Sequence, residues 1–337
     1  MKGLLSLAVG ILLFFVEAHA QTGFNWGNPT RPQLFGEDVI STEDDEINGG
    51  FSPDGRNYYF AKLIQYTTFP RVGLLCVTHF HAGRWSSPEV LPFSGGQVYD
   101  TQPRPSPDGE KLFFTSSRPA PGKQTRPFRI WVAQKKGESW SEAEPLPEPI
   151  NMDNSWNWGP SVTQDGTLYF SSDREQRFRP QIYRSRLVDG IYQKPEKLGP
   201  EINSEFNDSD VFVSADESIL IFASSGSGAP DNKNRPETID GHGFQYPRGD
   251  LYISFRRNGL WTTARHLEHG INTEFDEGSP SITSDGKYLF FSSDRSPFTV
   301  PTAHRMTYRE ITRDLHSTLN GHGNIFYISL DAIGEQR

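Results

Sequence analysis

Five acidic or amide residues recur at one place in this sequence. Glu46, Asp100, Asn157, Asp208 and Glu277 each stand eight residues ahead of an Asp that opens a turn, namely Asp54, Asp108, Asp165, Asp216 and Asp285. Carboxylates drawn together repel one another unless a cation, water or a basic ligand lies between them, and hard divalent cations take oxygen ligands. Glu46, Asp100, Asp208 and Glu277 are therefore candidate ligands of a divalent cation, and the whole set is a candidate ligand-binding ring. The competing reading is local: each residue caps the backbone of its own linker and faces solvated channel water.

Two other groups carry chemistry. The segments 226–249 and 296–322 are far longer than ordinary connections, and both run into Gly-His-Gly, at Gly241-His242-Gly243 and Gly321-His322-Gly323. His242, His304 and His322 are candidate catalytic bases or metal ligands, and Arg305 and Arg309, with Arg313 and His316 nearby, could hold a carboxylated sugar or an acidic peptide. Tyr308, Ile311 and Leu315 recur at helical spacing in "MTYREITRDLHSTL", which predicts a short helical lid with its apolar side on the body of the protein. Trp156 and Trp158 in "NSWNWGP" are candidates for an aromatic platform that stacks on a sugar. His79 and His81 share a strand face but lack a third nearby zinc ligand. No Gly-x-Ser-x-Gly elbow, His-Glu-x-x-His helix or phosphate loop occurs.

The elements that position these residues come from a repeat. "GGFSPDGRNYYFAK", "PRPSPDGEKLFFTSSR", "GPSVTQDGTLYFSSDR", "DVFVSADESILIFASS" and "SPSITSDGKYLFFSSDR" share alternating residues, Ser/Thr-x-Asp-Gly and an aromatic run, the fourth copy having Glu217 in place of Gly. Asp-Gly between two alternating apolar segments specifies a hairpin, so the turn aspartates are structural. A third strand follows each hairpin, and a fourth begins near Trp85, Trp140, Tyr192 or Trp261, which read as repeat core. Four antiparallel strands recurring at turn-Asp spacings of 54, 57, 51 and 69 residues predict propeller blades. The fifth copy ends without its fourth strand. The missing piece is at the other end, where Ile40 to Glu46 aligns without gaps on Ile271 to Glu277 and on Ile202 to Asp208.

The predicted fold is thus all-β, a single five-bladed propeller closed by an N-terminal strand, six blades being the alternative. Its predicted parts are a signal peptide at 1–20, a linker at 21–32, the propeller at 33–330 and a tail at 331–337. Within the propeller the repeats fall around 46–92, 100–147, 157–199, 208–268 and 277–330, with the closing strand at 33–41.

Ser-Pro-Asp-Gly followed by "LFFTSSR" or "LYFSSDR" resembles the WD-like repeat of the TolB-like β-propeller family of bacterial envelope proteins. The resemblance spans about Gln33 to Leu330. It implies a protein-binding propeller, although the same repeats also form scaffolds of some peptidases and oligogalacturonate lyases. TolB itself has six blades and a further amino-terminal domain. The function expected from resemblance and residues together is a protein- or glycan-binding module of the bacterial envelope. The alternatives are a lyase or hydrolase of acidic oligosaccharides, with the His/Arg loops over the channel, and a structural component of an envelope assembly.

Bulk properties narrow the partners. A net charge of −9 leaves no basic excess to neutralise phosphates, which excludes a nucleic-acid partner. "MKGLLSLAVGILLFFVEAHA" reads as a secretory signal cleaved after Ala20, and no later run is long and apolar enough to span a membrane. A periplasmic or secreted monomer is expected, its partner an envelope protein or glycan. Cys76 is the only cysteine, so core packing rather than a disulfide must hold the fold.

Overall fold

The computed structural model describes residues 26–334, apart from 65–71, 97, 120, 123–126, 226–236, 240–241, 245–248 and 298–304; for 237–239 and 242–244 it describes the backbone alone. Five antiparallel sheets form five blades. Their inner strands are Asp45–Phe51, Asp100–Pro105, Asn157–Val162, Asp208–Val213 and Glu277–Ile282. The second strands are Asn57–Ile64, Lys111–Ser116, Leu168–Ser172, Ile219–Ser224 and Tyr288–Ser293, and the third are Val72–His81, Arg129–Lys136, Gln181–Ser185, Asp250–Arg257 and Asn324–Ser329. Each inner strand packs beside the next, and the fifth packs beside the first, so the ring is closed.

The Ser/Thr-x-Asp-Gly turns work as their chemistry demands. In every blade the first hydroxyl donates to the turn Asp at 2.5–2.7 Å. The same carboxylate accepts the backbone N–H two residues on. The Ser106 and Thr163 hydroxyls hold the carboxyls of Asp108 and Asp165 below the usual range. Glu217, where the other turns have Gly, takes the same left-handed conformation at φ 60°. Its side chain is anchored by the Tyr169 hydroxyl and by Arg256.

Blades stick together because successive strand residues point to opposite faces. In the first blade Tyr59 and Ala61 pack toward Leu112, Phe114 and Trp131 of the second. Their neighbours Tyr58 and Phe60 pack the other way, toward Phe290 and Ile325 of the fifth. Trp140 and Trp261 are half-buried against Tyr59 and Tyr169 of the preceding blades, as repeat-core residues should be.

Closure occurs as the repeat arithmetic required. Gln33–Leu34 pairs antiparallel with Tyr327 and Phe326 and supplies the outer strand of the fifth blade. At the other end, the predicted tail is partly core. Leu330–Ile333 forms a short helix, and Ile333 is buried with Leu267, Ile271 and Ile328.

Phe35 seals the seam. It is buried and meets the rings of Trp26, Phe51, Tyr58, Trp85, Phe290 and Tyr327 at centroid distances of 5.0–6.2 Å. Phe35→Ala is therefore expected to cost about 3–5 kcal/mol of unfolding free energy, measured by urea denaturation. A loss below about 1 kcal/mol would contradict a sealing role for this ring.

Candidate functional site

The five residues of the predicted ring occupy equivalent places, but they are not gathered on the axis. Glu46, Asp100, Asn157, Asp208 and Glu277 are all fully buried. Their side chains are held by the linkers and second strands of the blades. Glu46 accepts Thr42 N and Oγ1, Asp208 accepts Ser204 N and Oγ, and Glu277 accepts Thr273 N and Oγ1. Ser116, Ser224 and Ser293, which end the second strands, donate to Asp100, Asp208 and Glu277. Arg118 and Arg295 of the "SSR" and "SSDR" motifs reach Asp100 and Glu277, and Arg174 reaches Asn157. Among the described residues no three His, Cys, Asp or Glu side chains are close enough together to hold a metal ion.

Burial pushes the Glu46 carboxyl up to about 7, against the pull of Thr42 and Lys62. It pushes Glu277 up to about 7 as well, against Arg295, Thr273 and Ser293.

The axis itself is closed by the residues two positions further along each strand. All five inner strands shift register there. Such bulges re-aim side chains, and Gln102, Asp210 and Ser279 take positive φ of 54°, 53° and 47°. Gln102 Nε2 of the second blade then reaches across to Asp210 Oδ1 of the fourth at 2.6 Å. Ser279 N and Oγ donate to Asp210 Oδ2, Gly159 N donates to Gln102 Oε1, and Asn48 Nδ2 donates to Ser279 O. Gly159 is required here on two counts: its φ is +57°, and a Cβ would sit 3.1 Å from Asp210 Cα. Below this plug, buried Arg104 donates to Pro280 O across the ring.

Among the described residues, side chains are left half-buried on the entry face, where the inner strands begin. Asp45, Tyr99, Trp156, Asn207 and Asp276, one position before the buried set, are all half-buried. The blades differ here. Asp45 and Asp276 make one side acidic, and burial, reinforced by Asp294, Asp210 and Glu277, pushes Asp276 up to about 7. Such a group can hold or release a proton near neutral pH.

The other side is aromatic. Phe128 meets Tyr99, Trp156 and Trp158 at 5.6, 5.3 and 6.0 Å, and Trp156 meets Trp158 and Phe178 at 5.8 and 5.6 Å. Arg177 lies over Trp156 and Phe178 at 4.2 and 4.6 Å. Tyr99, Trp156, Trp158 and Phe128 are half-buried, while Phe178 is 66% exposed. The structure thus brings Trp156 and Trp158 together and adds Tyr99, Phe128, Arg177 and Phe178, which the sequence reading missed. A local signal did exist: "DREQRFRP" places an aromatic between arginines in a second-to-third strand loop.

The histidine and arginine candidates are dispersed. His322 is exposed, with Nδ1 3.0 Å from Glu43 O; His242 lies in a two-stranded hairpin of residues 237–239 and 242–244; His304 lies outside the described residues. Arg305 and Arg309 are exposed at the start of the helix Tyr308–Leu315. The helix forms where predicted but is turned over. Tyr308, Ile311 and Leu315 are 85%, 42% and 62% exposed, whereas Asp314 is buried. The polar side wins because it is anchored: His316 and Asn320 bond Glu43, and Ser317 bonds the Asp314 carbonyl.

No family model matches the chain, and neither does any curated protein. Solved structures similar to it share only the fold. One is a putative TolB from Agrobacterium tumefaciens, with 15% identity over 77% of this chain and 73% of that one and a TM-score of 0.46. Another is the catalytic domain of a GH62 α-L-arabinofuranosidase from Coprinopsis cinerea, with 10% identity, coverage of 90% and 95%, and a TM-score of 0.45. A puromycin-hydrolyzing peptidase from Mycobacterium tuberculosis is similar at 12% identity and a TM-score of 0.37 over 82% of this chain and 41% of its own.

The buried carboxyls generate a pH prediction. A carboxyl whose folded pKa is raised to about 7 adds stability fully below its unfolded value, about 4.5, and that contribution is lost as pH rises through 7. Turn aspartates stay ionised across pH 5 to 8, so they do not confuse this window. Blade three already carries an amide, Asn157, at the equivalent position. Glu277→Gln should therefore fold, and its loss of stability between pH 5 and pH 8 should be smaller than that of the parent. Equal pH dependence by urea titration would refute ionisation of Glu277 as the cause.

Proposed function

We propose that the chain is an exported glycan-binding propeller whose ligand lies on the entry face. One observation carries the reading: a cluster of five aromatic side chains, Tyr99, Phe128, Trp156, Trp158 and Phe178, is left partly open on one side of the entry face, the half-buried Asp45 and Asp276 standing on the other. Aromatic faces accept the C–H side of a sugar ring, and the second oxygens of Asp45 and Asp276, whose Oδ1 atoms already accept Gly323 N and Gly249 N, are acceptors for hydroxyls of a ligand long enough to cross the face. The polar plug of Gln102 and Asp210 closes the axis beneath, which favours a ligand laid across the face rather than threaded through it. Export rests on the leader-like first twenty residues, which lie outside the described residues. No described helix is long and apolar enough to cross a membrane.

A second reading, an envelope protein as partner, is favoured by the outward stripe of Tyr308, Ile311 and Leu315, with exposed Arg305 and Arg309 beside it.

Titration of the mature protein with oligosaccharides, followed by tryptophan fluorescence, tests the first reading. Binding should perturb the emission, and Trp156→Ala should weaken it by about tenfold or more without loss of folding. If no oligosaccharide perturbs the fluorescence, while Ile311→Asp abolishes capture of a purified envelope partner, the protein reading replaces it.

A further inference from the structure

The loop Asp173 to Pro180 joins the second and third strands of blade three and contains an unusual feature: Phe178, a bulky side chain, adopts φ 62°. For a bulky residue with a Cβ this left-handed conformation is strained, so something must enforce it. The enforcing group is Asp173, whose side chain is fully buried. Its Oδ1 accepts Trp156 N at 2.7 Å; its Oδ2 accepts Phe178 N at 3.1 Å and Arg177 Nη1 at 2.7 Å. One carboxylate thus ties the strained residue, the arginine before it and the half-buried tryptophan into a single unit.

The strain gains little for the fold. Phe178 remains 66% exposed, touching Trp156 edge to face, and Arg177 fills the corner between the two rings. A residue needed only for the turn would be Gly, as at most left-handed positions among the described residues. Strain retained at an exposed, held side chain is a mark of a binding contact.

We infer that Phe178 is the specificity-determining stacking residue of the entry face, presented by Asp173 so that its open side takes the C–H face of a pyranose ring, with the Arg177 guanidinium edge donating to that sugar's oxygens. Trp156 forms the inner wall of the same subsite. The inference rests on the glycan reading above and narrows it to an aromatic subsite on blade three.

The test separates strain from packing. Phe178→Gly removes the ring and the backbone strain together, and Phe178→Tyr keeps the ring. The probe is the best-bound member of a panel of xylose, glucose, galactose and galacturonic acid hexasaccharides, measured by isothermal titration. With Phe178→Gly, affinity should fall by about tenfold or more while Tm is unchanged or higher; Phe178→Tyr should retain affinity within about threefold. A lower Tm with unchanged affinity would make Phe178 a packing residue and overturn the inference while leaving the glycan reading intact. If the parent protein binds no member of the panel, the inference falls together with the reading on which it rests.

Discussion

Every blade hangs on a polar side chain buried where its inner strand begins. A carboxyl removed from water costs several kcal/mol unless donors surround it, and this fold supplies them from three directions. For Glu277 they are the Thr273 linker, the Ser293 strand end and the Arg295 guanidinium. The bond set therefore ties a linker, an inner strand and a second strand into one joint, repeated around the ring with different partners. Asn157 shows that an amide can serve where the second-strand arginine remains, since Arg174 still reaches its Oδ1. Fixing the strand entry in this way also fixes which side chains stand on the open face one residue earlier.

The architecture was legible because each repeated residue has a local job. Asp-Gly turns, aromatic second strands and the "SSDR" ending follow from hairpin and capping chemistry that acts within about twenty residues. Even the closure was written locally: Ile40 and Ile271 are both buried, and Thr42 and Thr273 both cap the Glu four residues on. The site was less legible. Its position depends on β alternation, where one residue decides the face. Counting from the turn aspartates found the buried set. Tyr99, Trp156 and Asp276, one residue earlier, lie on the other side of the same strands.

The axial plug could not be read at all from periodicity. It depends on bulges that put Gln102, Asp210 and Ser279 at positive φ, and of these residue types only Asp favours such a conformation. The helix fails for a related reason. Its apolar spacing predicts an inward stripe, but hydrophobic burial over three side chains is outweighed by anchors that the sequence places far away, at Glu43. Helical periodicity identified the element without fixing which side faces the body.

Two of the ten non-glycine residues in left-handed conformation among the described residues show how strain can be assigned. Glu217 replaces a turn glycine, and its own side chain offsets the cost through Tyr169 and Arg256, so the fold accounts for it entirely. Phe178 has no comparable compensation. Its ring is mostly open, and the bonds that hold it come from Asp173 to its backbone N–H, not to anything the ring does. In one case the substitution repairs a repeat; in the other a buried aspartate is employed to keep an aromatic ring displayed. That asymmetry is why the proposed stacking contact is assigned to blade three rather than to the fivefold repeat, because a ligand can distinguish only what the repeats do not share.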